Sequence, residues 1–536
     1  MMKPRVRVKA GSAPVAPVAI PVQRAQARWL RDMPGGALTM RTASLVESRE
    51  ETRRSWMRIA ALAVDFIQNS GRLKGAVDQI IADTVGSELK LRAKPDLSAL
   101  GYDAAETAAF ARMVEGRWRR YAWNQAECDY RGKFPLPQQL DIALRHHVAY
   151  GEAVALIEFM SPRERARYGI TSGSKLLLVT PTRLVMDTSE VEGLYSGVRH
   201  DENGRPIAYR MRHREAGLSV TRDHATRDRM GRQLLVHAFD PWDGADDRGV
   251  SPIAAAMRTH AHAEKLHDAT LATTILQTVL AAALTSPEPS ADAFQAIDAL
   301  EADNDLKDAF LGYYEQALDK AAESTVSLDG SRVNHLAPGE KLELLTAATP
   351  GSNYLPFSAD LRREMARALG VTAESFSLDW NQATYSSTRM ATSSLWPIVT
   401  RRRERIAAPI AQALYESWLD EEIGEGRIPF KGGHAAFLAH RDAVCWTEWQ
   451  GPAKPTADDA KSAKAASERL QNGTSTLEYE CAELGLDSND VIAKRAEEAA
   501  ILTARGLPSP FLRVQGGGGT GPDVEQPARQ RESETV

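Results

Sequence analysis

The sequence predicts an α+β fold that is predominantly α-helical, and three observations carry that expectation. Apolar residues recur at the helical period around residues 52–83, 251–284 and 388–422. Residues 153–239 switch to short apolar runs bounded by Gly, Asn and Asp, the pattern of strands and tight turns. The chain of 536 residues is long enough for about three or four domains, or one large multipart subunit.

Residues 1–40 carry Lys3, Arg5, Arg7, Lys9, Arg24 and Arg28 with no acid before Asp32, and read as a disordered basic arm. Ile59, Leu62, Ala63, Phe66 and Ile67 share one helical face. A second apolar set, Leu73, Ala76, Val77, Ile80 and Ile81, follows Asn69-Ser70-Gly71, so the region is a helical hairpin or a kinked helix. Val85-Gly86 turns into a short alternating strand at 88–92. Helices are expected at 104–123 and 138–150, the second ended by Gly151.

Strands are expected at 153–159, 175–180, 193–200, 207–212 and 233–239, together forming a sheet. Asn203-Gly204 marks a hairpin because Asn-Gly readily takes positive φ. Ser251-Pro252 supplies an N-cap followed by Pro at the first helical position, opening a helix that runs to 284. Beyond it the pattern gives a helix at 291–321, short strands around Pro338-Gly339, and a helix at 360–369 stopped by Gly370. After a polar interval at 381–389 a long helix reaches 422, with a kink expected at Pro409. Exposed helices follow at 456–471 and 488–505. Residues 506–536, rich in Gly and polar residues, read as a disordered tail.

Composition narrows the function. Lys and Arg total 66 against 71 Asp and Glu, a formal charge of -5, so the molecule is not a cationic nucleic-acid coat. Cys128, Cys445 and Cys481 are far apart and form neither a disulfide framework nor a metal-ligand pair. The longest apolar stretch, 271–284, is too short to span a bilayer and contains Thr273, Thr274 and Gln277. Pro14, Pro17 and Pro21 would break a signal peptide, so a cytoplasmic product without membrane association is expected.

The catalytic constellations are missing. Ser172-Gly173-Ser174-Lys175 lacks the glycine spacing of a P-loop, and Lys175 opens a strand, so a surface turn is expected. His260, Glu264 and His267, with His262 beside them, share a helical face and define the enzymatic alternative, a metal-dependent nucleic-acid hydrolase. Their spacing fits known ligand sets only loosely, and no catalytic residue, metal or cofactor is assigned. Asp240, Asp243, Asp246 and Asp247 do not match an EF-hand and read as an acidic turn before a helix. The run Arg401-Arg402-Arg403-Glu404-Arg405 is a candidate phosphate contact, with a solvated or ion-paired helical face as the simpler reading.

The order of these features resembles the lambda-type family of phage portal proteins over most of residues 40–500. Asn69-Ser70 and Asp83-Thr84-Val85-Gly86 are similar to an N-terminal stretch of that family. His237-Ala238-Phe239 with Asp247-Arg248-Gly249-Val250-Ser251-Pro252 resembles its entry into a long helix. Leu336-Ala337-Pro338-Gly339-Glu340 and Leu361-Arg362-Arg363-Glu364-Met365-Ala366 follow in order. Leu369-Gly370-Val371-Thr372, then Asp379 and Tyr385-Ser386-Ser387-Thr388-Arg389, match its most specific pattern. Trp418 and Leu419 stand in the next helix.

The resemblance implies a portal fold with wing, stem, clip and crown regions. These would be a wing at 41–250, a stem helix at 251–284, a clip at 285–349, a second stem helix at 350–370 and a tunnel loop at 371–387. A long helix and wing/crown connection would follow at 388–445, and crown-like helices at 446–505. It implies a homo-oligomeric ring, usually of twelve subunits, that passes double-stranded DNA without sequence specificity. The implied partners are the terminase large subunit, the major capsid protein and head-tail connector proteins, in the virion and, during assembly, in the host cytoplasm. By analogy Asn381, Gln382, Thr384 and Tyr385 of the tunnel loop touch DNA, and Glu301, Asp303 and Asp305 of the clip attract the terminase. A ring of twelve would carry roughly -60 formal charge, which discourages DNA from sticking as it slides. A non-channel virion adaptor or scaffold is the remaining alternative.

Overall fold

The computed structural model describes residues 45–508 except 216, 285–350, 352, 382 and 457. The N-terminal pattern resolves into two helices, α1 (Ser48–Asn69) and α2 (Gly71–Thr84). They part at Ser70, whose extended backbone ends the first and whose hydroxyl accepts from the Leu73 N–H to cap the second. Strand β1 (Lys90–Ala93) leads to α3 (Ala104–Trp123), which opens with a reciprocal capping box between Asp103 and Glu106. After the single turn α4 (Gln125–Cys128), helix α5 (Leu136–Tyr150) ends at Gly151, φ +89°.

Strand β2 (Glu152–Phe159) follows at once. Helix α6 (Pro162–Tyr168), boxed by Ser161 and Glu164, separates it from β3 (Ser174–Val179). β2 is the middle strand of a three-stranded antiparallel sheet, β3-β2-β8, with β8 at Leu235–Phe239. Its two faces serve two cores. Ala153, Ala155 and Ile157 face the main core with α2, α3 and α5, whereas Val154 and Leu156 pack with Leu184, Val198, Tyr209 and Met211 in a smaller one. Burial on both sides is why this strand reads as an unbroken apolar run.

The single sheet expected over 153–239 is in fact two. The strand expected at 193–200 is also two, β4 (Leu194–Tyr195) and β5 (Val198–His200), which fold back at Ser196 (φ 47°) and Gly197 (φ 85°). A Cβ on Gly197 would lie 2.1 Å from the Val185 carbonyl, so the turn needs glycine. β5 pairs with β6 (Pro206–Glu215) across the expected Asn-Gly hairpin, and β6 with β7 (Leu218–Ala225). β7 escaped the sequence reading because its residues are exposed on both faces and show no apolar alternation.

Ser251 caps a 3-10 turn, Pro252–Ala256, that continues as α7 (Met257–Leu284). The chain re-enters the described region as α8 (Tyr354–Leu369), stopped by Gly370, then the single turn α9 (Ala373–Ser377) and α10 (Tyr385–Arg402). The expected kink is a π-helical turn, Arg403–Ala407, before α11 (Ala408–Gly424). Pro409 explains it: without an N–H and with a ring that crowds the preceding turn, it cannot continue regular α-helical bonding. α11 is buried on nearly every side. Its Tyr415 and Trp418 meet Trp118, and Tyr415 and Trp118 also meet Trp449, at ring separations of 5.4–6.3 Å.

Helices α12 (Gly433–Ala439) and α13 (Arg441–Val444) lead to β9 (Thr447–Gln450), which pairs antiparallel with β1, Leu91 opposite Trp449. The last helices, α14 (Asp459–Gln471), α15 (Leu477–Glu483) and α16 (Ser488–Ala504), follow from there. The segment from α15 to α16 is tied to β1 by the Arg92–Asp487 and Lys94–Glu478 ion pairs and by Lys90 Nζ donating to the Gly485 carbonyl at 2.9 Å. Cys128, Cys445 and Cys481 are free and buried. Among the described residues no helix is long and apolar enough to cross a membrane.

Candidate functional site

The motif around Arg248 forms a buried junction where the long helix α7 leaves the body of the protein. The Glu152 carboxylate, fully buried at the start of β2, takes Arg248 Nε at 2.9 Å and Nη2 at 2.5 Å, His237 Nε2 at 3.0 Å and the Gly249 N–H at 3.1 Å. Burial alone would raise this carboxyl. Arg248 and His237 outweigh it and hold the group at about 2, below its ordinary 4.5.

Trp56 of α1 closes the cluster. Its ring lies 4.4 Å from the Arg248 guanidinium carbon, and its Nε1 donates to the Gly249 carbonyl at 2.9 Å. Ser251 Oγ donates to the Val148 carbonyl at 2.7 Å. Gly249 is there because a Cβ would sit 2.2 Å from the Gly151 carbonyl oxygen. Three segments about 100 or more residues apart thus fix the direction in which α7 departs.

α7 and α8 run antiparallel, since Thr259 meets Glu364 at 3.0 Å while His267 meets the Tyr354 hydroxyl at 3.0 Å. The far ends of the pair flank residues 285–350, which hold the expected clip with Glu301, Asp303 and Asp305. That clip lies outside the described residues, as do the helix expected at 291–321 and the turn at Pro338-Gly339. Along the pair Leu271, Ile275, Leu355 and Phe357 are exposed.

The histidines proposed above as metal ligands point to different neighbours. His260 is buried edge-on against Phe66 at 4.8 Å and lies 3.1 Å from Glu264; His262 accepts from Arg258; His267 takes the Tyr354 hydroxyl. Among the described residues no group of three or more His, Cys, Asp or Glu side chains is placed to hold a metal ion.

The loop ahead of α10 is shorter than the polar interval suggested, because α10 opens at Tyr385. Asn381 is exposed, its N–H on Asp379 Oδ1 at 3.2 Å. Thr384 is the N-cap: its hydroxyl accepts from the Ser387 N–H at 3.2 Å and its own N–H donates to Ser387 Oγ at 2.9 Å. Gln382 and the Tyr385 side chain lie outside the described residues. Leu378, at φ 54°, and Trp380 are exposed beside them.

One expectation about charge is overturned and another holds only in part. Lys175 is not on a surface turn; it is fully buried and donates to the carbonyls of Ala126 at 2.9 Å and Glu127 at 2.6 Å. The N–H groups of Ser172 and Gly173–Ser174 serve the Glu127 and Glu421 carboxylates. The arginine run is the expected solvated, ion-paired face only at Arg401 and Arg405. Arg402 and Arg403 are buried, the first donating to the Leu369 carbonyl at 3.0 Å and the second to the Thr84 carbonyl at 2.8 Å. Burial, with Arg401 adjacent, pulls Arg402 down to about 10. Arg401 and Arg405 pair with Asp240 of the acidic turn, so that turn is a strut for this helix. Asp247 pairs with His200.

Sequence reasoning missed Glu152, Trp56 and Arg403 as the residues that join the segments. A Glu directly ahead of the apolar run Ala153–Ile157 was the available signal for the first.

The chain matches the family described as phage portal protein, lambda family, over residues 36–403. It is 25% identical over 466 residues to portal protein B of Escherichia phage lambda, covering 84% of this chain and 85% of that one. It is 26% identical over 465 residues to the portal protein of Escherichia phage N15, covering 85% and 86%. Among solved structures it is similar to a chain of the "Neck of empty GTA particle computed with C6 symmetry", at TM-score 0.40 and 15% identity over 81% of this chain and 94% of that one. With the family pattern matched over more than half its length, this chain belongs to the lambda family of phage portal proteins.

Proposed function

We propose that copies of this portal protein close into a ring at one capsid vertex, with α7 and α8 as the stem and double-stranded DNA moving through the centre during packaging and ejection. The observation that carries the ring is the exposure of Leu271, Ile275, Leu355 and Phe357 on the α7–α8 pair. Large apolar side chains left in water are costly, and they are covered when neighbouring stems pack on either side of the pair. Negative-stain electron microscopy with light scattering tests it. Rings with an axial hole and a mass near twelve times 58.7 kDa are expected, and a protein that stays monomeric at every concentration and salt overturns it.

In this reading the wing is 41–250, the clip 285–349, the second stem helix 350–370, the tunnel loop 371–387 and the crown-like part 446–505. The clip acids Glu301, Asp303 and Asp305 would attract a basic face of the terminase large subunit. The major capsid protein and head-tail connector proteins are the other partners, in the virion and, before that, in the host cytoplasm. The family is structural, and no catalytic residue is assigned.

Asn381, Gln382, Thr384 and Tyr385 are proposed to touch the moving duplex transiently and without base specificity. Deleting residues 381–383 while leaving the Thr384 cap is expected to spare ring assembly. DNA packaged per particle should fall at least tenfold; packaging at the unaltered level removes the loop from the mechanism.

A further inference from the structure

The hairpin of β6 and β7, with the turns that flank it, is basic within an acidic chain. Residues 205–232 contain eight arginines against three acids, in a chain whose overall formal charge is -5. Tyr209 and Met211 of β6 point into the smaller core, so the alternate residues Arg210, Arg212 and Arg214 point the other way, off the outer face of the sheet.

Arg210 is neutralised there, with Nη2 2.7 Å from Glu192 and Nε 2.8 Å from Asp223. Arg199 also pairs with both acids. Two arginines and two carboxylates cancel, and no acid is left for the others. The Arg212 and Arg214 side chains are exposed and, among the described residues, have no ion-pair or hydrogen-bond partner. Directly across the ladder from them stand Thr221 and Ser219, each exposed, so every free guanidinium shares its face with a hydroxyl.

We propose that this face of the β6–β7 hairpin is a second DNA contact, outside the α7–α8 stem and the loop before α10, that grips the phosphate backbone of a duplex without reading its sequence. Guanidinium and hydroxyl groups together are the donors that phosphates take from proteins, and Arg212 and Arg214, two residues apart, present them about 7 Å apart along the strand. An acidic protein surface is the competing occupant. The outer face argues against it, because around the arginines it offers Ser219, Thr221 and Ala208 and no aromatic or large apolar anchor, which protein interfaces use for most of their affinity. The inference rests on duplex DNA being the cargo, but not on ring closure or on the loop.

The test is binding of the full-length protein to a fluorescent mixed-sequence duplex across a salt series, with polyglutamate as competitor. The double variant R212S/R214S is expected to bind about tenfold more weakly near 100 mM salt. The slope of log affinity against log salt should drop by about 1.8, two phosphate contacts' worth, equally for duplexes of different sequence. R222S, whose parent side chain pairs with Glu215 on the other face, should leave the slope unchanged. Deletion of residues 381–383 removes DNA contacts of the channel loop but no cationic side chain, so it lowers packaging without lowering the slope, and failure of the loop is separable from failure of the hairpin. An unchanged slope in R212S/R214S overturns the proposal. Displacement of the duplex by polyglutamate at equal charge overturns it in favour of an acidic protein. Both variants remove exposed side chains, and an unchanged thermal melt confirms folding.

Discussion

Arg248→Ala is expected to lower the stability of the protein by about 3–5 kcal/mol, the cost of leaving a buried charge without its partner. Glu152 has no exposed surface, and without the guanidinium it keeps only His237 and the Gly249 N–H. The Trp56 ring loses the cation it covers, so packing is lost along with charge. The pH dependence identifies the cause. With its carboxyl held at about 2 against 4.5 when unfolded, Glu152 contributes stability that is fully present above 4.5 and lost as pH falls toward 2. Denaturant titrations should therefore show the gap between the native protein and the variant narrowing from pH 5 to pH 3. A gap that stays constant assigns the loss to packing alone. Because the junction sets the departure of α7, the variant should also form fewer closed rings at temperatures where it remains folded.

Arg403→Ala is expected to cost about 3 kcal/mol, from orphaned buried carbonyls at about 1–3 kcal/mol together with lost packing. Arg403 sits in the π-helical turn and donates to the Thr84 and Asp83 carbonyls at 2.8 and 3.4 Å, closing the end of α2. Its guanidinium also packs against Gly451, just after β9, where an added Cβ would fall 2.3 Å from its Cζ. The side chain thus holds the N-terminal helices, the turn before α11 and the β1–β9 pair together. Arg403→Lys should recover little, because one ammonium cannot reproduce the planar fork that reaches both carbonyls. Hydrogen exchange is expected to quicken first in β1 and β9, and exchange that quickens uniformly would remove this account of the residue.

The two arginine sites show where sequence reasoning stopped. The run at 401–405 was legible as charge and its helix as helix, yet consecutive positions on a helix point in different directions. Which of them met solvent depended on what packed around it: Arg402 and Arg403 face carbonyl groups supplied by α8 and α2, whereas Arg401 and Arg405 reach Asp240. Lys175 failed the same way. A Ser-Gly-Ser-Lys string reads as a turn, and only α4 crossing over it, with the carbonyls of Ala126 and Glu127 aimed at Nζ, makes burial tolerable. β7 and β9 carry too little periodic apolar pattern to stand out, because one is exposed on both faces and the other is four residues long. The arginine alternation in β6 was present in the sequence, but its meaning required knowing which face Tyr209 and Met211 bury.

Local, periodic features were legible in the linear chain: the longer helices, the cap at Ser251, the stops at Gly151 and Gly370, the irregularity near Pro409, and an order of motifs specific enough to place the chain in its family. These rest on interactions within about four residues, which a linear reading contains. Tertiary structure alone decided the division of 153–239 into two sheets, the pairing of β1 with β9, the burial of Glu152, Lys175, Arg402 and Arg403, and the freedom of Arg212 and Arg214. Each depends on groups distant along the chain that share one place in space. A charge is stable in the interior only where those distant partners arrive with it, and no local pattern records their arrival.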